Sequence, residues 1–391
     1  MLMTLTWIIC LGMAIPVAVL ALECLVGALP SFRRNPGNNA PPYIVLMPAH
    51  DEAAGIAKSV TDVLAQLRAC DRLVVVADNC TDNSGEIAER LGATVITRTD
   101  PALRGKSYAL QFGRVYLEAE FRRHGEAQAV IIVVDADCSP EPRALGRLAA
   151  TALRRNAIVQ GAYLLRPPAN ATAIVQMSCF AFLVKNLVRQ LALRRLAGAA
   201  LLQGSGMAFP ARTFMRIDWS PTSLVEDLDL GLRLVLAGDR VTFDHRAQFF
   251  SDASSQGGTA GQRRRWEHGM LQAMGTFVPR LALAALLGRP RLLFLALDQI
   301  IPPTVLLIML AAVGTVLSLL LGGFSLPVLI LLLCDVALFV GLFLAWLAHG
   351  RSLLPAQSIV AGLKYIIWKL PIFVQFITRR QRQWIRTDRA P

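Results

Sequence analysis

The sequence predicts an α/β protein in which a doubly wound, Rossmann-like sheet domain is joined to transmembrane and interfacial α-helices. Between Pro41 and about Leu165, apolar runs alternate with amphipathic stretches, as expected for parallel strands separated by helices. The 391 residues are 54% hydrophobic with a mean hydropathy of +0.48, which is more apolar than one soluble core requires. Part of the chain is therefore expected to lie in lipid.

Four segments rich in apolar and β-branched residues are the predicted strands of the sheet. They are Tyr43 to Met47, Arg72 to Ala77, Ala93 to Thr97 and Ala129 to Val134. No Gly-x-Gly-x-x-Gly turn follows the first of them and the sequence contains no Walker loop, which disfavours the usual dinucleotide and P-loop sites. Acidic residues stand at the strand ends instead.

These strand-end acids are the candidate ligands of a nucleotide and a metal ion. Because the carboxyl ends of parallel strands meet at one rim, Glu52, Asp78 and the pair Asp135 and Asp137 are expected to converge there. Oxygen ligands at i and i+2 suit a hard divalent cation, Mg²⁺ or Mn²⁺, that also coordinates a diphosphate. Glu52 and Asp78 can accept hydrogen bonds from a uracil N–H and ribose hydroxyls. Lys106 offers a cation to the nucleotide, with a solvated helix start as its alternative role.

Three apolar stretches are predicted to span the membrane. The first, Leu5 to Leu29, precedes the basic segment Ser31 to Arg34, which places its C-terminal end in the cytoplasm. Its amino end lacks the basic region of a signal peptide. Roughly Pro302 to Leu321 and Leu326 to Ala348 form a hairpin, and the basic cluster Arg379 to Arg386 follows it. An integral protein of the cell (inner) membrane with a cytoplasmic catalytic domain satisfies these charge signals.

Charge and cysteine usage narrow the possible partners. The net charge is +13, but the basic residues cluster beside apolar segments and no zinc-finger or RNA-binding motif is present. Membrane lipids and sugar diphosphates are therefore the expected anionic partners, and no nucleic acid is expected. The seven cysteines form no Cys-x-x-Cys pair, so reduced structural thiols are expected.

The order of three motifs resembles the family 2 glycosyltransferases, particularly the membrane branch of cellulose, hyaluronan and poly-N-acetylglucosamine synthases. An Asp-x-Asp after a strand is followed by Glu226-Asp227 and then by Gln262-x-x-Arg265-Trp266, and the resemblance covers about Tyr43 to Trp266. It implies a GT-A fold, metal dependence, a UDP-sugar donor and inversion at the anomeric carbon.

The resemblance also implies roles for individual residues. Asp227 corresponds to the general base, and Gln262 and Arg265 to donor-binding residues that hold the diphosphate. Trp266 offers an aromatic face to an acceptor sugar, with an interfacial anchor as its alternative role. The acceptor-binding set is completed by Glu226, which could instead belong to a solvated helix face, and by the glycine-bearing loop residues Gly204, Ser205 and Gly206.

The function that these observations predict is transfer of a hexose or N-acetylhexosamine from a UDP-sugar to a growing β-linked polysaccharide. Three spans are few for export, so interfacial helices, a homo-oligomer or an export partner would have to complete a path. The alternatives are a glycolipid synthase that adds one sugar to a lipid acceptor, and a non-catalytic nucleotide-binding membrane scaffold. Asp298 and Asp335, predicted near or within lipid, could each mark an acceptor path.

The expected domain organisation has five segments. They are a transmembrane helix at 1–30, the cytosolic GT-A domain at 31–258, interfacial helices carrying Gln-x-x-Arg-Trp at 259–300, the transmembrane hairpin at 301–350, and an amphipathic helix with a basic cytosolic tail at 351–391.

Overall fold

A computed structural model of the protein describes residues 2–30, 40–125, 130–219, 223, 225–253, 256–360 and 362–378. The chain forms two compact units. A sheet unit contains residues 32–166 and 199–252, and a helical unit contains residues 1–31, 167–198 and 253–390.

The elements within the described residues alternate in the first half of the chain and are mainly helical in the second. The strands are β1 (Tyr43–Ala49), β2 (Arg72–Asp78), β3 (Thr94–Arg98), β4 (Val130–Val133), β5 (Cys138–Pro140), β6 (Ile158–Arg166), β7 (Met207–Pro210) and β8 (Val241–Asp252). The α-helices are α1 (Leu2–Ala28), α2 (Ile56–Leu64), α3 (Ser84–Arg90), α4 (Lys106–His124), α5 (Ala144–Arg155), α6 (Ala173–Leu183), α7 (Arg189–Leu196), α8 (Ala211–Arg216), α9 (Glu226–Leu236), α10 (Gln256–Leu286), α11 (Leu292–Gln299), α12 (Thr304–Gly322), α13 (Leu326–Ala345), α14 (Ala356–Ile359) and α15 (Gly362–Thr378). Two π-helical turns, Val184–Val188 and Trp346–Gly350, follow α6 and α13.

The sheet unit is built on one mixed sheet with the strand order β3-β2-β1-β4-β7-β6-β8-β5. The strands β1 to β4 are parallel, and β7 pairs antiparallel with β4, Val133 lying opposite Met207. The predicted Rossmann-like half is confirmed. The strands β1, β2 and β4 are almost wholly buried because helices cover both faces of a parallel sheet, which explains why they are almost continuously apolar. The edge strand β3 is partly exposed and carries polar residues.

Among its described residues, the helical unit contains four helices that are long and apolar enough to cross a membrane: Leu2–Ala28, Trp266–Leu286, Thr304–Gly322 and Leu326–Gly350. This is one more than the three spans predicted, since the segment beginning at Trp266 was expected to lie at the interface. Its mean hydropathy of 1.2 is well below the 2.4 to 2.9 of the others. The polar and charged residues Glu267, His268 and Arg280 within the segment weaken its apolar signal.

Small residues allow α1 to pack closely against α12 and α13. A Cβ on Gly314 would lie 3.0 Å from Met13, and one on Gly341 would lie 3.0 Å from the Cβ of Cys24. Close approach of backbones at glycine is the usual packing device of membrane helices.

A buried ion cluster joins three helices of the same unit. Arg189 on α7 pairs with Glu23 on α1 at 3.0 Å and with Asp298 on α11 at 2.8 Å. All three side chains are at least 95% shielded from solvent. Such charges are tolerated in an apolar interior only when they are paired, as they are here between α1, α7 and α11.

Candidate active site

Asp135 and Asp137 lie on the loop after β4, near the middle of the sheet. The Asp135 backbone N–H donates to the hydroxyl of Ser205 at 3.1 Å, and the Cys138 N–H donates to the Asp135 carbonyl at 3.0 Å. Both aspartates are half-buried. Two carboxylates one residue apart are thus held at the strand-end rim while remaining partly open to solvent.

Lys106, the first residue of α4, connects acids from two distant parts of the chain. Its Nζ lies 2.6 Å from Asp135 Oδ1 and 3.8 Å from Asp227 Oδ1, and it donates to the Gly204 carbonyl at 2.7 Å. Burial lowers the pKa of the Lys106 ammonium, but the carboxylates of Asp135 and Asp227 outweigh burial, so that the pKa is raised above its usual value. Lys106 is therefore a permanent cation at the centre of the cluster.

Asp227 lies in the first turn of α9, directly against Gly204. A Cβ added to Gly204 would lie 2.7 Å from Asp227 Oδ2, and the φ of this glycine is +95°. The position thus requires glycine both for its backbone conformation and for the space that the Asp227 carboxylate occupies.

The loop Gln203–Gly206, here called the glycine loop, is held in place by hydrogen bonds to the side chain of Gln160 on β6. The amide nitrogen of Gln160 donates to the Ser205 carbonyl at 2.8 Å, and its oxygen accepts from the Gln203 N–H at 2.9 Å. Gln160 is completely buried. The Gly204, Ser205 and Gly206 backbone therefore has a defined position between Asp135 and Asp227.

Glu226 is tied to the N-terminus of α4. Its Oε2 accepts a hydrogen bond from the Ser107 backbone N–H at 3.1 Å and another from the Ser107 hydroxyl. Burial is the main cause of the raised pKa of Glu226, with the nearby Asp227 charge adding to it and the Ser107 and Lys106 contacts opposing it. The carboxylate is thus engaged within the protein, in contrast to the solvated helix face that the sequence left open.

The predicted nucleoside residues lie at the ends of β1 and β2. Glu52 follows β1, where its backbone N–H donates to the Ser84 hydroxyl at 2.7 Å. Asp78 at the end of β2 is buried and accepts from Arg98 at 2.6 Å. The Asp78 carbonyl lies 2.7 Å from Nδ1 of His50. Arg98 ends the neighbouring strand β3, so the parallel arrangement brings the pair together.

Asp51, Cys80 and Asp82 bring potential metal-ligating atoms within 4.8 Å of one another at the same rim. The two acids already accept backbone hydrogen bonds, Asp51 from the Thr81 N–H at 2.6 Å and Asp82 from the Ala53 N–H at 3.0 Å. Although burial opposes it, the Thr81 bonds hold the pKa of Asp51 below its usual value. We therefore assign these acids to stabilising the turns after β1 and β2.

Gln262, Arg265 and Trp266 lie on α10 of the helical unit. The side chains of Gln262 and Arg265 fall outside the described part of the chain. The ring of Trp266 packs against Phe182 of α6, with centroids 5.6 Å apart and an angle of 33° between the planes. The two roles considered for Trp266, contact with an acceptor sugar and an interfacial anchor, both stay predictions.

Residues 41–269 match the model of a family described as glycosyltransferase-like family 2, and this match covers more than half of the chain. The chain belongs to this family. The predicted family and the enzyme class, glycosyltransferase, are thereby confirmed. Membership of the membrane branch with the cellulose synthases stays a prediction.

Two further proteins resemble this family 2 glycosyltransferase along nearly its whole length. The uncharacterized glycosyltransferase YaiP of Escherichia coli (strain K12) is 25% identical over 405 residues, which cover 97% of this chain and 92% of YaiP. The mannosyltransferase PcManGT from Pyrobaculum calidifontis, solved with GDP-Man and Mn²⁺, is 18% identical. The match covers 95% of this chain and all of PcManGT with a TM-score of 0.55, which supports the GT-A fold.

A shorter match is to glucosyl-3-phosphoglycerate synthase from Mycobacterium tuberculosis, solved with Mn²⁺, UDP and glucosyl-3-phosphoglycerate. It is 18% identical, covers 54% of this chain and 70% of that protein, and has a TM-score of 0.34.

Sequence reasoning missed three residues that organise the glycosyltransferase site: Arg98, Ser107 and Gln160. Each had a signal in the sequence. Arg98 stands at the end of a predicted strand, Ser107 follows the predicted cation Lys106, and Gln160 interrupts the apolar run Ile158 to Leu165. A polar residue within a buried strand needs a hydrogen-bond partner, which here is the glycine loop.

Proposed function

We propose that this protein is an inverting, metal-dependent glycosyltransferase that moves a hexose or N-acetylhexosamine from a UDP-sugar to a growing β-linked polysaccharide at the cytoplasmic membrane. Family membership supports glycosyl transfer. The complex of PcManGT with GDP-Man and Mn²⁺ supports a nucleotide-sugar donor and a divalent metal. That relative was solved with a guanosine diphosphate sugar, so the experiment below includes both UDP-sugars and GDP-mannose as donors.

The observation that carries the proposal is the cluster around Lys106. The Lys106 ammonium contacts Asp135, which follows strand β4, and lies 3.8 Å from Asp227, which lies in the first turn of α9. Inverting transfer needs a group that removes the acceptor proton and, across from it, positive charge at the departing diphosphate. This cluster brings the proposed base Asp227, the proposed metal ligand Asp135 and one ammonium to a single site.

Asp135 and Asp137 would hold the metal ion. Their donor set fits Mg²⁺ or Mn²⁺, because both supply hard carboxylate oxygens and both remain partly open to solvent on the loop after β4. The bound ion would supply positive charge to the diphosphate.

The protein's own residues would perform the remaining steps. Asp227 takes the proton of the acceptor hydroxyl as that oxygen bonds to the anomeric carbon and the bond from that carbon to the diphosphate oxygen breaks. Lys106 offsets the negative charge that develops on the leaving diphosphate, and the glycine loop brings backbone close to the acceptor. We assign Glu52 and Asp78 to the nucleoside, and Gln262 and Arg265 to the diphosphate.

Membrane placement is part of the same proposal. Four helices among the described residues have the length and composition to span a bilayer. The basic segment 31–34 supports a cytoplasmic catalytic domain in the cell membrane. The basic segment 379–386 falls on the same side when Thr304–Gly322 and Leu326–Gly350 span and Trp266–Leu286 lies at the interface, which is the arrangement we propose. The proposed division keeps the catalytic domain at 31–258, between the first span and the helices that carry Gln-x-x-Arg-Trp.

A glycolipid synthase is the second candidate. The observation that favours it is the contact of Trp266 with Phe182 inside the helical unit. The part of the indole ring that packs against Phe182 is not available to stack on the sugars of a polymer. In that case one sugar would be added to a membrane lipid, and no export path through a homo-oligomer or partner would be required.

The test is nucleotide release by the purified full chain in native lipid. The panel contains UDP-glucose, UDP-N-acetylglucosamine and GDP-mannose with Mn²⁺ or Mg²⁺, and mass analysis follows the products. A ladder of additions supports the polysaccharide synthase, and a single addition to lipid supports the glycolipid synthase. Asp227→Asn should abolish transfer while nucleotide binding stays intact. Nucleotide binding without transfer from any donor would favour a non-catalytic scaffold.

A further inference from the structure

The contact between Glu226 and Ser107 has a consequence for how the base and the cation are aligned. Ser107 is the second residue of α4, and α4 begins with backbone N–H groups that have no partner within the helix. The residue before the helix, Gly105, has no side chain with which to cap it. Glu226 supplies the missing acceptor from another helix, since its Oε2 accepts hydrogen bonds from both the backbone N–H and the hydroxyl of Ser107.

Resting on the proposed function, we infer that Glu226 is a positioning residue that sets the distance between the base Asp227 and the cation Lys106. It does so by capping α4 through Ser107. Glu226 precedes Asp227 and Lys106 precedes Ser107 in the chain. One contact between the two helix starts therefore fixes two neighbouring pairs at once.

The surrounding geometry supports a fixed spacing. Asp227 Oδ1 lies 3.8 Å from Lys106 Nζ, so the two charged groups are held close without a direct hydrogen bond at that atom. Gly105 has a φ of +130°, and a Cβ there would lie 3.8 Å from Glu226 Oε1. The glycine thus gives the chain the turn that presents the α4 terminus to Glu226.

The N-terminus of α4 favours a carboxylate at this position, because the helix dipole and the unpaired N–H groups stabilise negative charge. Burial and the Asp227 charge nevertheless raise the pKa of Glu226, and the Ser107 hydrogen bonds offset part of that effect. The Glu226 side chain is half-buried, and its Oε2 accepts the hydrogen bond from the Ser107 N–H. Glu226 is therefore placed to act through α4, whereas the sequence alone suggested contact with the acceptor.

The experiment is steady-state sugar transfer by the full chain in lipid with the substitutions Glu226→Ala, Glu226→Gln and Ser107→Ala. A misplacement of about 1 Å at a reacting group can cost about 100-fold in rate, so Glu226→Ala should lower kcat by roughly that factor. The KM for the donor should change by less than about threefold, because uniform binding is kept. Glu226→Gln keeps an acceptor oxygen for Ser107 and should recover kcat to within about tenfold of wild type.

A double-mutant cycle separates positioning from a general loss of structure. Ser107→Ala removes the hydroxyl bond to Glu226 and keeps the backbone N–H bond, so it should lower kcat less than Glu226→Ala. The double variant should lower kcat no further than Glu226→Ala alone, since Glu226→Ala already removes the hydroxyl bond. Asp229→Asn is the matched control, because Asp229 also lies in the first turn of α9 but pairs with Arg233 on its own helix. It should keep kcat within about threefold of wild type.

Several outcomes would overturn the inference. One is a wild-type kcat for Glu226→Ala, and another is losses that multiply in the double variant. A loss in Glu226→Gln as complete as in Asp227→Asn would mean that Glu226 itself handles the proton. If Glu226→Ala does not fold, Ser107→Ala alone must lower kcat with little change in KM. Absence of transfer by the wild type would count against the proposed function, a result distinct from these.

Discussion

Replacement of Gly204 by alanine tests the position of Asp227, the proposed catalytic base, without altering any ionisable group. In the structure an added Cβ would meet Asp227 Oδ2 at 2.7 Å and Lys106 Nζ at 3.3 Å. The substitution therefore pushes on the two residues to which the proposed chemistry is assigned.

The expected size of the effect has two parts. Adoption of a φ of +95° by an alanine costs about 1–2 kcal/mol of stability. Restoring an ordinary contact of about 3.5 Å from 2.7 Å requires a displacement of roughly 0.8 Å, most easily by the Asp227 carboxylate. A misplacement near 1 Å corresponds to a loss of about 100-fold in kcat.

The assay is nucleotide release by Gly204→Ala in native lipid, with thermal unfolding measured on the same preparation. Gly92→Ala is the matched control, because Gly92 has a similar φ of +101° and nothing lies within 4 Å of its Cβ position. Both variants should lose comparable thermal stability, but only Gly204→Ala should lose activity. A Gly204→Ala enzyme with wild-type kcat would refute the placement of the base against the glycine loop.

Three other predictions concern the metal site and the stability of each unit. Asp137→Ala should abolish metal-dependent turnover, and titration with Mn²⁺ should not restore the wild-type rate. Asp71→Ala should destabilise the fold by roughly 2–4 kcal/mol at pH 7, because the buried Asp71 carboxylate pairs with Arg68 at 2.7 Å. Burial raises the pKa of Asp71, but the hydrogen bonds from Arg68 outweigh burial and lower it below its usual value. The stabilisation is therefore present at neutral pH and is lost as the pH falls below about 4. Thermal unfolding should show the variant and the wild type converging in that acidic range. Arg189→Met should cost about 3–5 kcal/mol in detergent by leaving two buried acids unpaired, and an unchanged unfolding midpoint would contradict that cluster's role.

The parallel half of the sheet was accessible from the sequence because burial on both faces leaves an unbroken apolar signal. The prediction for β1 began at Tyr43, where the strand begins, and that for β4 ended one residue past Val133. The antiparallel strand β7 has four residues and ends in proline, so it carries no comparable pattern. Its pairing with β4 is a long-range fact that periodicity does not encode.

The sequence allowed several residues of the candidate site to be predicted, but not the contacts between them. Motif order identified Asp135 and Asp227, which are separated by about ninety positions, yet nothing in that spacing indicates that Lys106 lies between them. The partner of Glu226 was also hidden, because a helix terminus that lacks its own cap has no sequence signature of the acceptor that replaces it.

Acidic residues within the apolar segments also show that the sequence does not reveal the contacts of a side chain. The sequence identified Asp298 and Asp335 as costly and as possible markers of an acceptor path. Asp298 is bound by Arg189, and Asp335 accepts the hydroxyl proton of Thr315 at 2.7 Å. An internal partner removes part of the cost of burial for each residue, although Oδ1 of Asp335 is buried without a hydrogen-bond partner among the described residues. A charge in an apolar stretch therefore indicates a site only after its nearest partners are known, and those partners here stand 20 and 109 positions away.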